Sequence, residues 1–253
     1  MPTLAEPTLL GLYHTLSICR RCADAGYFIV PPPISTVNAG ATFMTIGQAP
    51  GRHEAEVTHT PFSGPAGRRL FRWLAQAGFD EADFRATQAM VAITRCYPGP
   101  HPAGRGDRVP TRAEQALCAP WLEAELALIQ PKVLIPIGGL AIGRFLKSPP
   151  VMLNGVTAQP AIQQIASEAS RPRSFAGDAP RLTLSGQPAQ DDATRSLTMT
   201  GLIGHRFERD GRTIVPLPHP SGASQWFNVA ENKERLARAL EILGTLRQTL
   251  AKD

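Results

Sequence analysis

The sequence predicts a single α/β domain built on a largely parallel sheet. Two observations carry that reading. Short apolar strands alternate with amphipathic helices along the chain, and its 253 residues, 43% apolar and 19% charged, show no internal repeat. A chain of this size buries a substantial core, which excludes a disordered segment and a minimal module. Met1 to Leu10 carries no basic segment followed by an apolar one, and no apolar run reaches the length of a membrane span. The protein is therefore expected to be soluble and intracellular. Lys and Arg (26) outnumber Asp and Glu (21), for a net charge of +5. That is a modest tilt toward a polyanionic partner such as nucleic acid.

The elements follow in order. Phe43, Met44, Thr45 and Ile46 run into Gly47 as a buried strand that ends in a Gly- and Pro-rich loop. Pro65 suits the first turn of a helix whose Leu70, Leu74 and Ala77 recur at helical spacing until Gly78. Met90 to Thr94 reads as a second strand. Thr111 and Glu114 form a capping box ahead of a helix lined by Leu117, Leu122, Leu126 and Ile129. Lys132 to Gly138 is a third strand, with helical signal resuming from Gly139 to Leu146. From about 148 to 200 the chain is rich in Pro, Ala, Ser, Gln and Gly, and it reads as an insertion or mobile loop with a short helix near Ala161 to Ala169. Leu202 to Phe207 and Thr213 to Leu217 flank Asp210 and Gly211 as a hairpin, and Leu236, Leu240, Leu243, Leu246 and Leu250 stripe a last helix.

Four cysteines stand out: Cys19 and Cys22 as a C-x2-C pair, Cys96 at a strand end and Cys118 within the next helix. Intracellular thiols stay reduced, so a metal, a cluster or plain burial accounts for them. Four thiolates suit tetrahedral zinc or a [4Fe-4S] cluster, and spacing alone does not separate the two.

Three further motifs occur in order. They are GQAPG (Gly47, Gln48, Ala49, Pro50, Gly51), TPFSGPAG (Thr60 to Gly67, containing Phe62, Ser63 and Gly64) and a late PHPS (Pro218, His219, Pro220, Ser221). Together with the cysteines they resemble the uracil-DNA glycosylase superfamily, specifically its iron-sulfur families 4 and 5. The likeness covers roughly residues 15 to 147 and 201 to 230. It implies a three-layer α/β/α domain spanning 1–253, with a central, mainly parallel four-stranded sheet and a [4Fe-4S] cluster on Cys19, Cys22, Cys96 and Cys118. The match departs in places. Gln48 stands where family 4 has an acidic residue, Ala49 where the best-known members place a water-activating Asp, and Ala92 where family 4 has a base-reading Asn. The sixteen residues from Gly47 to Phe62, with His53 among them, look more like family 5, whereas the PAG after Phe62 (Pro65, Ala66, Gly67) looks more like family 4, so family 5 is the most similar, with family 4 features.

The resemblance implies a DNA repair enzyme that flips a uracil out of the helix and hydrolyses its N-glycosidic bond, leaving an abasic site. Deaminated purines (hypoxanthine, xanthine) are expected as further substrates. Phe62 would stack on the flipped base, a place where spacing alone favours a core Phe. His219 would donate to the pyrimidine O2, while Gly47, Gln48, Ala49, Pro50, Gly51 and Ala92 would line the base pocket. Gln48 ranks ahead of Glu54 and Glu56 for positioning water. Pro220, Ser221 and Gly222 would pinch a DNA phosphate, and Ser63 and Gly64 at a helix start offer a second anion site. Trp226 is either a wedge into the vacated stack or core of the last helix. Arg68, Arg69, Arg72, Arg95, Arg105 and Arg108 either track the DNA backbone or form a solvated face. A monomer in the cytoplasm of a bacterium or archaeon is expected, with DNA containing uracil or other deaminated bases as its partner. Two other readings stand beside this one: a covalent DNA adduct formed through His101 in the loop Pro98 to Val109, and an iron-sulfur DNA-binding relative without catalysis.

Overall fold

The computed structural model describes residues 8–104, 106–146, 199–221 and 225–251. Two short helices open the chain, α1 (Leu9–Ser17) and α2 (Arg21–Asp24); neither was anticipated from periodicity. Strand β1 (Phe43–Gly47) leads through a π-helical turn (Glu54–Thr58) to α3 (Pro65–Gln76) and α4 (Glu81–Thr87). Then come β2 (Ala89–Ala92), α5 (Arg112–Ile129), β3 (Val133–Pro136) and α6 (Gly138–Leu146). After α7 (Met199–Leu202), the strands β4 (Phe207–Arg209) and β5 (Arg212–Ile214) precede a 3-10 turn (Gln225–Asn228) and α8 (Ala230–Leu250). The expected insertion and the helix near Ala161 to Ala169 lie outside the described residues, apart from the start of α7.

The sheet has five strands in the order β2-β1-β3-β5-β4, not the four implied by the resemblance. Both arms of the hairpin join it: β5 runs parallel to β3, and β4 returns antiparallel at the edge. The tight turn sets the antiparallel return of β5 on β4, because Asp210 (φ 50) and Gly211 (φ 72) both adopt the left-handed conformation that a two-residue hairpin needs. Of the expected first arm only Phe207 is strand, since Leu202 belongs to α7 and β4 runs Phe207–Arg209. Beyond Ile214 the chain still follows β3, with Val215 N–H donating to Leu134 (2.9 Å) and Leu217 N–H to Pro136 (3.0 Å). Pro216 and Pro218 alternate with those donors, at the positions whose missing N–H costs the ladder nothing.

Alternation along the strands sorts the core into two layers. Phe43, Met90, Val133, Ile135 and Ile137 face Leu70 and Leu74 of α3, Phe84 of α4 and Leu236, Leu240 and Leu243 of α8. Met44, Ile46, Val91 and Leu134 face Leu122 and Ile129 of α5 and Ala141 and Phe145 of α6. Two-sided burial explains why the strands read as continuous apolar runs. A three-layer α/β/α arrangement results. No helix among the described residues is long and apolar enough to cross a membrane.

Candidate active site and cysteine cavity

From β1 the chain passes to β2 on one side and later to β3 on the other. Such a reversal opens a crevice at the carboxyl ends of the strands, where α/β sheets bind ligands. A cleft of about 620 Å³ lies there. Gly47, Gln48, Ala49, Pro50, Gly51, Phe62, Gly64, Ala92, His219, Pro220 and Ser221 all line it, so three motifs distant in sequence border one cleft. Glu54 also lines it, whereas Ser63, Glu56 and His101 do not.

Phe62 is placed by constraint. Its φ of 52 is left-handed, a conformation that costs a non-Gly residue on the order of 1 kcal/mol. Arg85 holds the turn, donating from Nη1 to the Pro61 carbonyl and from Nη2 to the Phe62 carbonyl, each at 2.9 Å. The same guanidinium stacks 4.2 Å over the Phe71 ring and pairs with Glu81. Gly67 permits the approach, since a Cβ there would lie 1.6 Å from the Phe62 carbonyl oxygen. The Phe62 ring edge rests against Gly47, within 3.0 Å of where a side chain would begin. Nothing in the local pattern around Arg85 marks it as the clamp of a loop more than twenty residues earlier.

His219 is held as firmly. The Ser221 N–H donates to its Nδ1 (3.2 Å), which fixes the neutral tautomer and leaves Nε2 carrying the proton. Burial holds its pKa below the ordinary imidazole value. Its ring packs on Gly138, where a Cβ would come within 3.1 Å. Arg69 Nη1 donates to the Ser221 carbonyl (3.0 Å) and lies over the Phe227 ring, so this arginine anchors the loop. The Ser221 amide is thus engaged within the protein.

Carboxylates also reach the cleft. Glu54 is buried at 8% exposure and accepts from the Gly64 N–H (3.2 Å), so the amide that opens α3 is likewise committed internally. The Ser63 hydroxyl shares a hydrogen bond with Thr58 (2.5 Å). Asp107, which the sequence did not single out, lines the cleft from the loop between β2 and α5. Its Oδ1 accepts from the buried Tyr97 hydroxyl at 3.0 Å. Burial raises the Asp107 pKa, Tyr97 opposes that rise and Glu54 adds to it. No periodicity could have found Asp107, since its place depends on how a loop closes.

The six arginines separate. Arg68 and Arg72 are exposed on α3, and Arg105 lies outside the described residues. Arg95 cannot track DNA: it is 1% exposed and paired with the equally buried Glu125, which also accepts from Tyr13 (2.6 Å). Arg108 donates to both Glu114 oxygens (2.7 and 2.6 Å) and to the Phe28 carbonyl. Trp226 packs against the first core layer, with its ring 5.1 Å from that of Phe227. His101 folds onto its own loop, its Nδ1 accepting from the Ala103 N–H (3.1 Å).

Cys19, Cys22, Cys96 and Cys118 line one apolar cavity beside Leu16, Leu117 and Trp121. All four are free thiols. Burial pushes Cys22 and Cys96 up to about 12 and also raises Cys118. Among the described residues, no three His, Cys, Asp or Glu side chains converge as ligands of one metal ion. The cavity's polar lining is informative. Arg95, Trp121 and Thr94 line the cavity, and Arg95 Nε and Nη1, Trp121 Nε1 and Thr94 Oγ1 are buried without a hydrogen-bond partner in the protein. Buried donors call for an acceptor, and a thiolate-held, sulfide-rich anionic group is one. The donor set therefore fits such a group.

Comparison with known proteins adds the decisive observation: the sequence model of the uracil DNA glycosylase superfamily matches residues 34–244. The chain belongs to this superfamily. It is similar to the Type-5 uracil-DNA glycosylase of Mycobacterium leprae, 31% identical over 176 residues, which cover 61% of this chain and 73% of that one. It is also similar to the Type-4 uracil-DNA glycosylases of Archaeoglobus fulgidus (32% over 138 residues; 53% and 61% of the two chains) and Thermotoga maritima (28% over 123 residues; 49% and 58%). The match thus spans less than two thirds of either Type-4 relative. Superfamily members of both types match, in keeping with the mixed motifs.

Proposed function

We propose that this superfamily member is a DNA repair glycosylase that flips a uracil into the cleft and hydrolyses its N-glycosidic bond, leaving an abasic site. One observation carries the reading: Phe62 and a tautomer-locked His219 line a single cleft with the backbone of Gly47, Gln48 and Ala49. Phe62 offers the face on which the flipped base stacks. The backbone of the first motif holds the base edge, with Pro50 and Gly51 shaping the turn. His219 Nε2–H donates to the pyrimidine O2 as negative charge gathers there, and a donor aimed at developing charge contributes about 3 to 4 kcal/mol. Gln48 lies at the same wall as a water-positioning group, and Pro220 and Ser221 border the cleft where a phosphate would pass. Cys19, Cys22, Cys96 and Cys118 would hold a [4Fe-4S] cluster whose chemistry is structural, joining segments far apart in sequence. Such an enzyme acts as a monomer on DNA, in the cytoplasm of a bacterium or archaeon.

Ala92 presents no side-chain amide to the base edge. A site with fewer buried polar groups rejects the wrong base less strongly. We therefore expect hypoxanthine to be excised too, more slowly than uracil. The test uses end-labelled oligonucleotides containing uracil, hypoxanthine or xanthine, treated with the protein and then with alkali. Strand cleavage at uracil is the expected result. Tight binding without cleavage would establish the non-catalytic alternative, and an SDS-resistant protein–DNA adduct the covalent one. His101, outside the cleft lining and folded onto its own loop, gives the covalent reading no support.

A further inference from the structure

The first motif carries Ala49 where a carboxylate would activate water, yet the cleft is not without one. We propose that Asp107 takes the proton from the attacking water, supplying from the β2–α5 loop the base that the first motif lacks. This rests on the glycosylase reading above and names the group that completes its chemistry.

Asp107 sits on a small closed hairpin rather than a loose loop. Arg108 N–H donates to the Gly99 carbonyl (3.0 Å) and His101 N–H to the Gly106 carbonyl (2.9 Å). The Arg108 side chain, paired with both oxygens of Glu114, ties the hairpin to the start of α5. Tyr97, 2% exposed, fixes one carboxylate oxygen through its hydroxyl, which leaves Oδ2 for another partner. Oδ2 lies beside the first motif: a Cβ on Gly51 would meet it at 3.3 Å and Glu54 Oε2 at 2.6 Å. Glycine leaves that space open without displacing either carboxylate. His219 and Asp107 both line this cleft, and protonation of the imidazole would lower the Asp107 pKa, so the base and the leaving-group donor share one site. The other groups acting on Asp107 are Tyr97, Glu54 and Arg52, the last an exposed side chain paired with Glu56. Burial and the Glu54 carboxylate both raise its basicity.

The step balances. A water oxygen bonds to the anomeric carbon as the bond from that carbon to the base nitrogen breaks, and the bonding electron pair leaves with the base. The water's proton passes to Asp107 Oδ2 and then to solvent. The base anion, held by His219 Nε2–H, takes a proton from solvent on release.

Asp107→Asn keeps the shape and the acceptor for Tyr97 but removes the base. Under single-turnover conditions on a uracil oligonucleotide, excision should slow roughly a hundredfold or more. Binding of that oligonucleotide should be no weaker, and the acidic limb of the pH–rate profile should disappear. Tyr97→Phe removes the hydroxyl that stabilises the carboxylate, so the acidic limb should move to higher pH while the plateau rate stays within a few-fold. A purely structural Asp107 would move neither limb. If wild-type protein excises uracil and Asp107→Asn matches its rate and pH profile, the proposal is overturned and the glycosylase reading stands. If wild-type protein excises no base, both fall together.

Discussion

His219 shows how much of a single side chain's behaviour is set by its neighbours. A histidine between two prolines can also be read as a solvated loop residue; here it keeps an exposed edge, while Ser221 N–H caps its Nδ1 and Gly138 (φ +79) lets the ring lie against the backbone. The imidazole is thereby neutral and directed. Because its donor acts chiefly on charge that develops as the glycosidic bond breaks, His219→Ala should lower the single-turnover rate of uracil excision by roughly a hundredfold or more. Substrate affinity should be nearly unchanged, and a loss of affinity at full rate would remove the role assigned to this residue. Arg95 teaches the opposite lesson. Beside Cys96 it looks like one more surface cation, and only its burial against Glu125 and Tyr13 shows that it belongs to the cysteine cavity.

Among the elements, α5 was legible almost to the residue, since its capping box is written locally and Thr111 and Glu114 form both reciprocal bonds. The sequence does not show that Glu114 serves a second partner. Arg108 hydrogen bonds, reinforced by the Thr111 backbone, hold the Glu114 carboxyl at about 2, well below its usual range. A depressed carboxyl pKa stabilises the fold above the unfolded value of 4.5 and loses that contribution as pH falls toward about 2. Glu114→Gln should therefore destabilise the protein at neutral pH by on the order of 2 kcal/mol. The gap from wild type, read by denaturant melts across this acid range, should narrow as pH falls; a pH-independent gap would mean that the effect is packing alone. The loop that carries Phe62 was legible only as a loop. Its shape comes from Arg85 on α4, an element that no repeating pattern announced.

At the scale of the molecule, the cysteine cavity gathers the end of α1, the start of α2, the segment after β2 and the middle of α5. Protein purified anaerobically should be brown and carry about four irons per chain. Zinc in place of iron would overturn the cluster. Because the four cysteines come from segments far apart in the chain, a cluster held by them would join those segments, and Cys118→Ser should lower thermal stability more than it alters base preference. What the sequence alone determined is whatever is encoded by neighbours: the buried strands with their motif loops, the helical stripes, the capping box, the hairpin turn and the four thiols as a set. Apolar runs, spacing and turn chemistry act over a few residues, so a linear reading captures them. The tertiary structure decided the rest. It made the sheet five-stranded by adding β4 at its edge, brought Asp107 and Tyr97 to the first motif, buried Arg95, and committed the Gly64 and Ser221 amides to Glu54 and His219. Those outcomes depend on which loops meet once the sheet is assembled. Contacts between residues far apart in the chain leave no periodic trace in it.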